Sequence, residues 1–547
     1  MTNILDFLPN YPNIEDKNFF QEIYNKGEFY DLKLEKEYTV KNEFNFLDHQ
    51  IFISRILSSF TLYNSMLLFH NMGTGKSGVA FAASEKILKD NFGINKVYVL
   101  TNSKDVLNNL KNELLFKFTK RKYIPEDYNI LTSRRQKTIV EKNVLKINNY
   151  SFEQFHYISK EIMKLKKTKE GRDKLKEKYS NSFFILDEIH NIKDKLKGET
   201  NINKYGEIKE LFELIENKKI LLMSGTPMKD QANEITSILN LILPIDKQFR
   251  GDGKLNQFSY FDKRYMNNNK LENNVSEFND KIKGKISYLK NVSNLNIKYK
   301  GKIIPELKYF KVFEIEMSGL QLEKYKEAYD KDTIGKGISE EEEESSGLYN
   351  NSRQSINCVY PDGSYGGQII EDIESGFNKY ISVGRENKLV TQYREEFGDL
   401  ENLRGLSAKY YEIIKNIKEN DNMCHFVYSK LVNGSGIVLL TLLLEKYLGY
   451  TRYQPQGNVV GKLQTEGKRY ILLSGDTDSY MKEQLIKEFN REKNKSGNYI
   501  RVIFGTYVIK EGLSFYSIQK IHICTPHWNY SETEQIIARA IRYDSHK

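Results

Sequence analysis

The sequence predicts an α/β protein made of two parallel-sheet lobes in tandem, with a mixed, partly irregular insert between them. Three observations support this prediction. Short apolar runs alternate with helix-like segments in the first half of the chain, the alternation lapses over residues 246–405, and it returns towards the end. Strands that alternate with helices indicate a parallel sheet covered on both faces, because each crossover lays a helix against the sheet.

The first lobe contains four strand-like runs and the helices that join them. Residues 78–88 have small and apolar side chains on one side at helical spacing, and residues 105–115 form a more polar helical segment. The strand-like runs are SMLLF at 65–69, KVYVLT at 96–101, SFFILDE at 182–188 and KILLMSG at 219–225.

The second lobe repeats this pattern after the insert. The insert is rich in Asn, Lys and Tyr and contains the acidic run SEEEEESSG at 339–347, which we interpret as a solvated loop because like charges resist packing. The strand-like runs of the second lobe are MCHFVYS at 423–429, RYILLSG at 469–475, YIRVIFGT at 499–506 and KIHICT at 520–525. The predicted organisation is an N-terminal segment 1–40, a first lobe 41–245, the insert 246–405 and a second lobe 406–547.

Composition limits the classes of protein that fit. The chain has 547 residues and a net charge of +10, from 83 Lys and Arg against 73 Asp and Glu. This mild excess allows a polyanionic partner without requiring one. The three cysteines form no CxxC pair, which argues against a structural zinc site. No signal peptide is evident, and the longest apolar run, 436–444, is too short to span a bilayer, so a cytoplasmic setting is expected.

The stretch HNMGTGKSG at 70–78 predicts a phosphate-binding loop. It lies between a predicted strand and a predicted helix, where backbone N–H groups and the positive helix terminus can hold phosphate oxygens. The full pattern for such a loop is GxxxxGK[ST], and His70 stands where the first glycine is expected. In this pattern the lysine reaches the β- and γ-phosphates and the hydroxyl ligates Mg²⁺. The predicted nucleotide-binding residues of the loop are Gly73, Thr74, Gly75, Lys76 and Ser77, with Ser77 also a metal ligand.

A pair of carboxylates supplies the second element of a nucleotide hydrolase. The run FFILDEIH at 183–190 leads directly from apolar residues into Asp187 and Glu188. A carboxylate at the end of a strand can hold Mg²⁺, and its neighbour can orient and deprotonate the attacking water. We therefore predict Asp187 as a metal ligand and Glu188 as the catalytic base.

Together with further segments, these motifs resemble superfamily 2 helicases and translocases, which have two RecA-like lobes. The resemblance runs in the order of the family from residue 47 to residue 546. The segments that carry it, besides the loop and DEIH, are FLDHQ at 46–50, VYVLTNSKDVL at 97–107, SGTP at 224–227, GTYVIKEGLSF at 505–515 and QIIARAIR at 535–542.

The resemblance implies roles for further residues. Gln50 corresponds to the glutamine that reads adenine. Arg539 and Arg542 are three residues apart in a predicted helix, so they share a face and can reach the γ-phosphate when the lobes close. Gln535 is expected to link these arginines to the γ-phosphate region. The expected coupling residues, which transmit the nucleotide state to the nucleic-acid site, are His190, Ser224, Thr226 and Gly512.

Three stretches indicate a closer resemblance to the helicase-like ATPases of large nucleocytoplasmic DNA viruses. They are LLFHNMGTGKS at 67–77, SRQSINCVYPDGS at 352–364 and HWNYSETEQIIARAIRYDSH at 527–546. The types that they resemble are the small subunit of the viral early transcription factor and the viral nucleoside triphosphatase I. Because the family carries a C-terminal region and this sequence stops at Lys547, we expect a missing segment or a partner to complete the second lobe.

The resulting hypothesis is a nucleic-acid-dependent ATPase, a helicase or DNA translocase that uses ATP and Mg²⁺ in viral-type transcription. The expected partners are nucleic acid, with DNA favoured over RNA, and an RNA polymerase or a second transcription-factor subunit. No membrane association is expected, and a viral protein of this type would act in the virus factory or the virion. Two alternatives remain open: an RNA-unwinding helicase and a non-catalytic assembly factor that kept the fold.

Overall fold

Two parallel sheets organise the molecule, each within its own part of the chain. The computed structural model divides the chain into two units, Met1–Ser293 and Asn294–Lys547. It describes residues 11–32, 45–71, 73–192, 203–228, 231–252, 254–268, 270–290, 301–303, 311–333, 349–370, 373–384, 387–455, 460–461, 463–509, 513–525 and 530–541.

The sheet of the first unit has six strands over these residues, in the order β3-β2-β4-β5-β1-β8, and every neighbouring pair is parallel. All four predicted strands are present, and β3 and β8 add the two edges. The strands are β1 (Ser65–His70), β2 (Lys96–Thr101), β3 (Tyr150–Gln154), β4 (Ser182–Asp187), β5 (Lys218–Ser224) and β8 (Ile286–Leu289).

Helices connect the strands of this sheet, as the alternating pattern predicts. Two short strands, β6 (Met266–Asn267) and β7 (Lys270–Leu271), form a separate hairpin. The helices are α1 (Phe19–Asn25), α2 (Gly27–Tyr30), α3 (Asp48–Ile56), α4 (Lys76–Asp90), α5 (Lys104–Asn112), α6 (Arg134–Ile147), α7 (Phe155–Leu165), α8 (Lys169–Tyr179), α9 (Lys204–Leu214), α10 (Ile235–Asn240), α11 (Gln257–Tyr265) and α12 (Val275–Ile282).

Two apolar cores cover the two faces of this sheet. Successive side chains of a strand point to opposite faces, so Leu67 belongs to one core while Met66 and Leu68 belong to the other. The same alternation holds along β4, where Phe184 and Phe183 lie in different cores. Burial on both faces explains why the strands appear in the sequence as continuous apolar runs.

The second unit has a five-stranded parallel sheet over the described residues, in the order β16-β17-β18-β15-β19. The four predicted strands form its centre and one edge, and the two-residue strand β16 forms the other edge. The strands are β15 (His425–Tyr428), β16 (Thr451–Arg452), β17 (Arg469–Leu473), β18 (Val502–Gly505) and β19 (Lys520–Ile523).

Helices and three small hairpins complete the second unit. The hairpins are β9 (Lys302–Ile303) with β10 (Lys311–Val312), β11 (Gly367–Ile370) with β12 (Ile373–Gly376), and β13 (Ile381–Ser382) with β14 (Lys388–Leu389). The helices are α13 (Gly319–Thr333), α14 (Asn350–Ser355), α15 (Phe377–Tyr380), α16 (Leu403–Leu406), α17 (Ala408–Glu419), α18 (Ile437–Leu448), α19 (Ser479–Phe489) and α20 (Tyr530–Ile537).

The segment predicted as an insert, residues 246–405, is divided between the two units at Ser293. Strand β8 from this segment pairs with β1 in the first sheet, whereas Cys358, Tyr360 and Phe377 pack in the core of the second unit. The acidic run 339–347 lies outside the described residues, as do 291–300. No helix among the described residues is long and apolar enough to cross a bilayer, and the apolar run 436–444 belongs to α18, which is buried in the second core.

Candidate active site

Three neighbouring strands bring the predicted motifs of the first lobe to one edge of its sheet. Strands β4, β5 and β1 are adjacent and parallel, so their carboxyl ends meet at the same edge. The phosphate loop follows β1, Asp187 and Glu188 stand at the end of β4, and Ser224 ends β5. In open α/β sheets, ligands bind at this edge of the sheet.

Glycines shape the phosphate loop. Gly73 and Gly75 have φ angles of +80° and +84°, in the left-handed region that glycine adopts without strain. Gly75 caps the amino end of α4, which begins at Lys76. A Cβ atom at Gly75 would lie 2.5 Å from Nε2 of Gln50, and one at Gly78 would lie 2.4 Å from the same atom. The loop conformation and its packing against Gln50 therefore both require glycine.

Two adjacent side chains of α3 bind the carbonyl groups of this loop. The ring Nε2 of His49 lies 3.1 Å from the Thr74 carbonyl oxygen, and Nε2 of Gln50 donates to the Gly75 carbonyl at 3.0 Å. A peptide N–H points opposite to the carbonyl of the same peptide plane, so these contacts turn the N–H groups of Gly75 and Lys76 away from α3. His49 and Gln50 thus fix two consecutive peptide planes of the loop.

The sequence did not indicate His49, because its contact joins residues 25 positions apart. Gln50 was predicted to read adenine. In the structure its amide is buried, and its Oε1 accepts a hydrogen bond from the Leu47 N–H at 2.9 Å. The adenine-reading role stays a prediction, and binding the loop is the contact that Gln50 makes here.

The ammonium of Lys76 is directed back over its own loop. Its Nζ donates to the carbonyl oxygen of His70 at 3.0 Å and lies 3.4 Å from that of Asn71. These neutral acceptors mark the mouth of the loop, where phosphate oxygens would offer stronger, charged acceptors. The phosphate-binding role of Lys76 stays a prediction.

The structure explains why histidine is accommodated at position 70. Its side chain is buried, with Nε2 2.9 Å from the Ser287 hydroxyl of β8, so it lies under the loop rather than in it. Its backbone is not in the left-handed region that would call for glycine. Burial, aided by the neighbouring His49 and Lys76, lowers the pKa of His70 to about 3, so the ring is neutral.

The carboxylates are linked to the SGTP segment through His190. Oε2 of Glu188 lies 3.3 Å from Nδ1 of His190, and this nitrogen lies 2.9 Å from the Ser224 hydroxyl. The Ser224 hydroxyl in turn accepts the Thr226 N–H at 3.0 Å. The four residues form one continuous polar path between the ends of β4 and β5.

Glu188 has an unusual backbone. Its φ of +48° places it in the left-handed region, which costs a non-glycine residue of order 1 kcal/mol or more. The residue is 8% exposed, and its Oε2, although it lies 3.3 Å from Nδ1 of His190, accepts no hydrogen bond of good geometry among the described residues. A strained backbone that holds a buried carboxylate oxygen without a hydrogen bond is typical of a catalytic position.

The predicted metal ligands have the chemistry that Mg²⁺ requires. Ser77, in the first turn of α4, and Asp187, the last residue of β4, are both partly exposed at the same sheet edge. They offer a hydroxyl and a carboxylate oxygen, the hard donors that Mg²⁺ prefers. No group of three or more His, Cys, Asp or Glu that could form a complete protein cage occurs in the described ranges.

The prediction of one helix carrying Arg539 and Arg542 is wrong for Arg539. Helix α20 ends at Ile537, and tighter bonds follow, from the Arg539 N–H to the Ile536 carbonyl and from the Ala540 N–H to the Ile537 carbonyl. Just beyond this end, the carbonyl of Arg539 accepts the Phe515 N–H at 2.9 Å. Arg542 and Gly512 lie outside the described residues.

Arg539 and Gln535 are both buried in the second unit, at 4% and 6% exposure. Nη1 of Arg539 lies 3.4 Å from the carbonyl oxygen of Leu513. The structure thus joins the QIIARAIR segment to the GTYVIKEGLSF segment, two motifs that the sequence analysis treated separately. The role of Arg539 at a γ-phosphate stays a prediction.

Comparison with known proteins agrees with this arrangement. Residues 43–229 match the family described as "Type III restriction enzyme, res subunit", and residues 413–544 match the "Helicase conserved C-terminal domain". The chain therefore carries both domains of a superfamily 2 helicase-type enzyme, the class whose members hydrolyse ATP.

The chain is also similar to helicase-like proteins of large DNA viruses. It is 35% identical to "Putative helicase 087L" of Invertebrate iridescent virus 3, over all of this chain and 52% of the relative, so it spans about half of that relative's length. It is 24% identical to "Nucleoside triphosphatase I" of Choristoneura biennis entomopoxvirus, over 92% of this chain and 71% of the relative. A Sulfolobus solfataricus SWI2/SNF2 ATPase core solved with dsDNA aligns with a TM-score of 0.31 at 13% identity, covering 90% of this chain and 84% of that one.

Proposed function

We propose that this protein hydrolyses ATP in a manner stimulated by nucleic acid, and that it uses the energy to move along duplex DNA. The observation that carries the proposal is the polar path at the sheet edge, in which Glu188 contacts His190 and His190 contacts Ser224. This path connects a carboxylate suited to activating water with a second strand end, so a change at one is transmitted to the other. Such a link is what coupling of hydrolysis to nucleic-acid binding requires.

The chemistry assigns one task to each residue of the edge. The loop N–H groups, oriented by His49 and Gln50, bind the phosphates of ATP, and Lys76 neutralises charge that develops on the transferred phosphoryl group. Glu188 accepts a proton from the attacking water. Mg²⁺, held through Ser77 and Asp187, would neutralise further charge on the phosphate oxygens.

Closure of the second lobe would complete the site. Arginine suits the γ-phosphate because its planar fork makes two parallel bonds to phosphate oxygens. We assign this role to Arg539 and Arg542, supported by Gln535, and the coupling role of the second lobe to Gly512. A cycle in which ATP drives closure and product release permits opening would advance the protein along a strand.

The setting that we propose is viral-type transcription in the cytoplasm, within a virus factory or a virion. The proposed partners are DNA and an RNA polymerase or a second transcription-factor subunit. The support is the similarity to viral helicase-like proteins, one of which is named for its nucleoside triphosphatase activity.

The deciding experiment measures ATP hydrolysis by the purified protein alone and with duplex DNA, single-stranded DNA or RNA. Stimulation by duplex DNA above the other three conditions supports DNA translocation. Preferential stimulation by RNA would replace this proposal with the RNA-unwinding alternative. Near-normal hydrolysis by the Lys76→Ala variant would place the reaction outside the phosphate loop, and no hydrolysis under any condition would favour a non-catalytic assembly factor.

A further inference from the structure

A second surface of the first unit carries concentrated positive charge. We call residues 117–137 the basic turn; it runs from the end of the segment that follows α5 into the first turn of α6. It contains seven Lys and Arg against two Asp and Glu, a net charge of +5, half of the net +10 of the whole chain. Six of the seven cations are exposed, and Lys137 is half-buried. The cations are Lys117, Lys120, Arg121, Lys122, Arg134, Arg135 and Lys137.

Another segment of the same unit is equally basic, but four of its nine cations are paired with carboxylates. Residues 160–178 carry nine Lys and Arg against four Asp and Glu, also a net +5. There, Lys166, Lys174, Lys176 and Lys178 each have a carboxylate within 3.4 Å. In the basic turn, by contrast, neither Lys120 nor Arg121 has a carboxylate within 4.0 Å among the described residues. The charge of these two residues is therefore available to an external anion.

The backbone at the centre of the basic turn is strained. Lys120 and Arg121 are consecutive residues with φ of +49° and +65°. Most of the other non-glycine residues with positive φ in the described chain are asparagine, which tolerates this region, and lysine and arginine do not share that tolerance. Glycine would relieve the strain at both positions. Lysine and arginine side chains at positions where glycine would make the fold more stable indicate a function other than folding.

Aromatic rings pack against two cations of the basic turn, Arg121 and Lys137. The Arg121 guanidinium lies 5.6 Å from the centre of the Phe116 ring, and Phe116 packs against Tyr128 at 5.7 Å. Lys137 lies 5.5 Å from the centre of the Tyr128 ring. Phe116 reaches this position because α5 continues as a π-helical segment, Glu113–Phe118, an irregularity that is frequent at functional sites. The cations are thus partly pre-organised, which lowers the entropy cost of binding.

The basic turn lies away from the edge that holds the phosphate loop. Lys122 pairs with Glu85 of α4 at 3.5 Å, and Glu85 is nine residues, or about 14 Å along the helix, beyond Lys76. Glu85 also accepts the hydroxyl of Tyr150, the first residue of β3, at 2.7 Å. The turn therefore lies towards the amino ends of the strands, whereas the candidate active site occupies their carboxyl ends.

We propose that the basic turn is a second nucleic-acid contact, which binds backbone phosphates independently of the ATP-driven site. This inference rests on the proposed function, in which nucleic acid is the partner. Clustered Lys and Arg suit the uniformly negative backbone, and Arg adds a planar fork for phosphate. An acidic protein partner fits less well, because the aromatic pair lies beneath the cations and only one large apolar side chain of the turn, Ile130, is exposed, which is less apolar surface than the core of a protein interface uses.

The test combines two double variants with a matched control. Lys120→Gly with Arg121→Gly removes both charges and relieves the backbone, whereas Lys120→Glu with Arg121→Glu reverses the charges and keeps the strain. The control is Lys164→Glu with Lys167→Glu, two exposed cations of the other basic segment, residues 160–178. Binding of a fluorescent DNA duplex of about 40 base pairs is measured from low to physiological salt, together with thermal stability and ATP hydrolysis without nucleic acid.

We expect the glycine variant to bind at least about tenfold more weakly at low salt. The slope of log K against log salt should fall by about 1.8, or about 0.9 for each phosphate that the variant no longer neutralises. Its melting temperature should equal or exceed that of the wild type, and its basal hydrolysis should be unchanged. The glutamate variant should bind more weakly still, and the control should bind nearly as the wild type does.

The outcomes separate this inference from the proposed function. Wild-type protein that binds no DNA or RNA would overturn both. If the wild type binds DNA and the glycine variant binds it with the same affinity and the same salt slope, the inference about the basic turn alone is overturned. An equal loss in the control would also overturn it, because the effect would then be one of net charge. A glycine variant that melts well below the wild type would show that Lys120 and Arg121 serve the fold.

Discussion

Nε2 of the His49 ring lies 3.1 Å from the carbonyl oxygen of Thr74, in the middle of the phosphate loop. A carbonyl oxygen can only accept, so this nitrogen carries the ring proton and His49 is the Nε2–H tautomer. The buried Nδ1 then has no hydrogen to donate, consistent with its lack of a partner among the described residues. One neutral side chain thus fixes the direction of a peptide plane of this loop.

Replacing His49 with alanine should loosen the loop. The hydrogen bond that this removes is worth about 1 kcal/mol, so we expect kcat/KM for ATP to fall about five- to tenfold, mainly through KM. His49→Gln provides the matched control, because its Nε2 can occupy the position of the ring Nε2 and restore much of the activity. Steady-state kinetics of both variants would check this. Equal activity of the alanine variant and the wild type would remove His49 from the site.

Lys76→Ala should remove the point charge placed at the mouth of the loop. We expect turnover to fall about 10²-fold or more, a loss of roughly 3 kcal/mol of transition-state stabilisation. Lys76→Arg keeps the charge in a larger, planar group that fits the loop less well, and should recover only part of the loss. Single-turnover hydrolysis measures the chemical step directly. Near-normal hydrolysis by the alanine variant would place the reaction elsewhere.

Glu188 allows catalysis and backbone strain to be separated. Glu188→Gln keeps the shape but cannot accept a proton, so ATP should still bind while hydrolysis falls about 10²-fold or more. Glu188→Gly should be equally inactive, yet it relieves a φ of +48° and should raise the free energy of unfolding by about 1 kcal/mol. Equilibrium nucleotide binding and thermal unfolding give the two readouts. Loss of ATP binding in an intact Glu188→Gln protein would contradict the role of base.

The extent of prediction from sequence differs between the centre and the edges of the sheets. β2 has the predicted bounds, because a strand buried on both faces is a continuous apolar run. The edge strands β3 and β8 were not predicted, since most of their residues are only half-buried and their sequences, YSFEQ and ISYL, are short and partly polar. Edge position depends on partners distant in sequence, and no local pattern encodes it.

In the candidate site, too, the contiguous motifs could be predicted and the contacts between residues distant in sequence could not. The loop and the DEIH segment were predicted because each is a contiguous motif with its own chemistry. The contact of His49 with Thr74 and the contact of Arg539 with Leu513 span 25 and 26 positions, so neither could be predicted from spacing. The hydrogen bond from the Phe515 N–H to the Arg539 carbonyl, just beyond the end of α20, is likewise a tertiary contact that no local pattern encodes.

His190 and Ser224 should act as a unit in coupling hydrolysis to nucleic acid. His190→Ala and Ser224→Ala each remove one side of a 2.9 Å hydrogen bond, so each should reduce stimulation by nucleic acid more than basal turnover. The double variant should be little worse than the more affected single variant, because the shared hydrogen bond can be broken only once. The stimulated and basal rates of the four proteins form the measurement. Strictly additive effects would show that the two residues act independently.

Buried histidines should make the fold sensitive to acid. Burial and neighbouring positive charge lower the pKa of His70 and His522 to about 3, and burial also lowers the pKa values of His49 and His425. In the unfolded chain each histidine titrates near its ordinary value of about 6.5. Below that pH the unfolded state binds protons that the folded state does not, so stability is full above about pH 6.5 and is lost as the pH falls towards 3.

His522 provides the sharpest test of this dependence. It stacks on His425 with ring centres 5.5 Å apart, and Nε2 of His522 lies 3.2 Å from Nδ1 of His425. Because Nε2 of His425 donates to the Asn420 carbonyl, Nδ1 of His425 is an acceptor and Nε2 of His522 carries the proton. Protonating either remaining nitrogen would place a charge between the buried His425 and the half-buried His522, close to the cation of Lys520.

We expect the wild type to lose about 2 kcal/mol at pH 5 for each of His70 and His522, that is, about 1.4 kcal/mol per pH unit below 6.5. His522→Asn keeps a polar side chain without a titrating ring, so the variant should be less stable at pH 7.5. As the pH falls below 6.5, however, its free energy of unfolding should fall less steeply than that of the wild type, by about 1.4 kcal/mol per pH unit. Denaturant unfolding of both proteins between about pH 5 and 8 gives these slopes. Parallel slopes for the two proteins would mean that His522 is already protonated in the folded state below pH 6.5, against the lowered pKa of this ring.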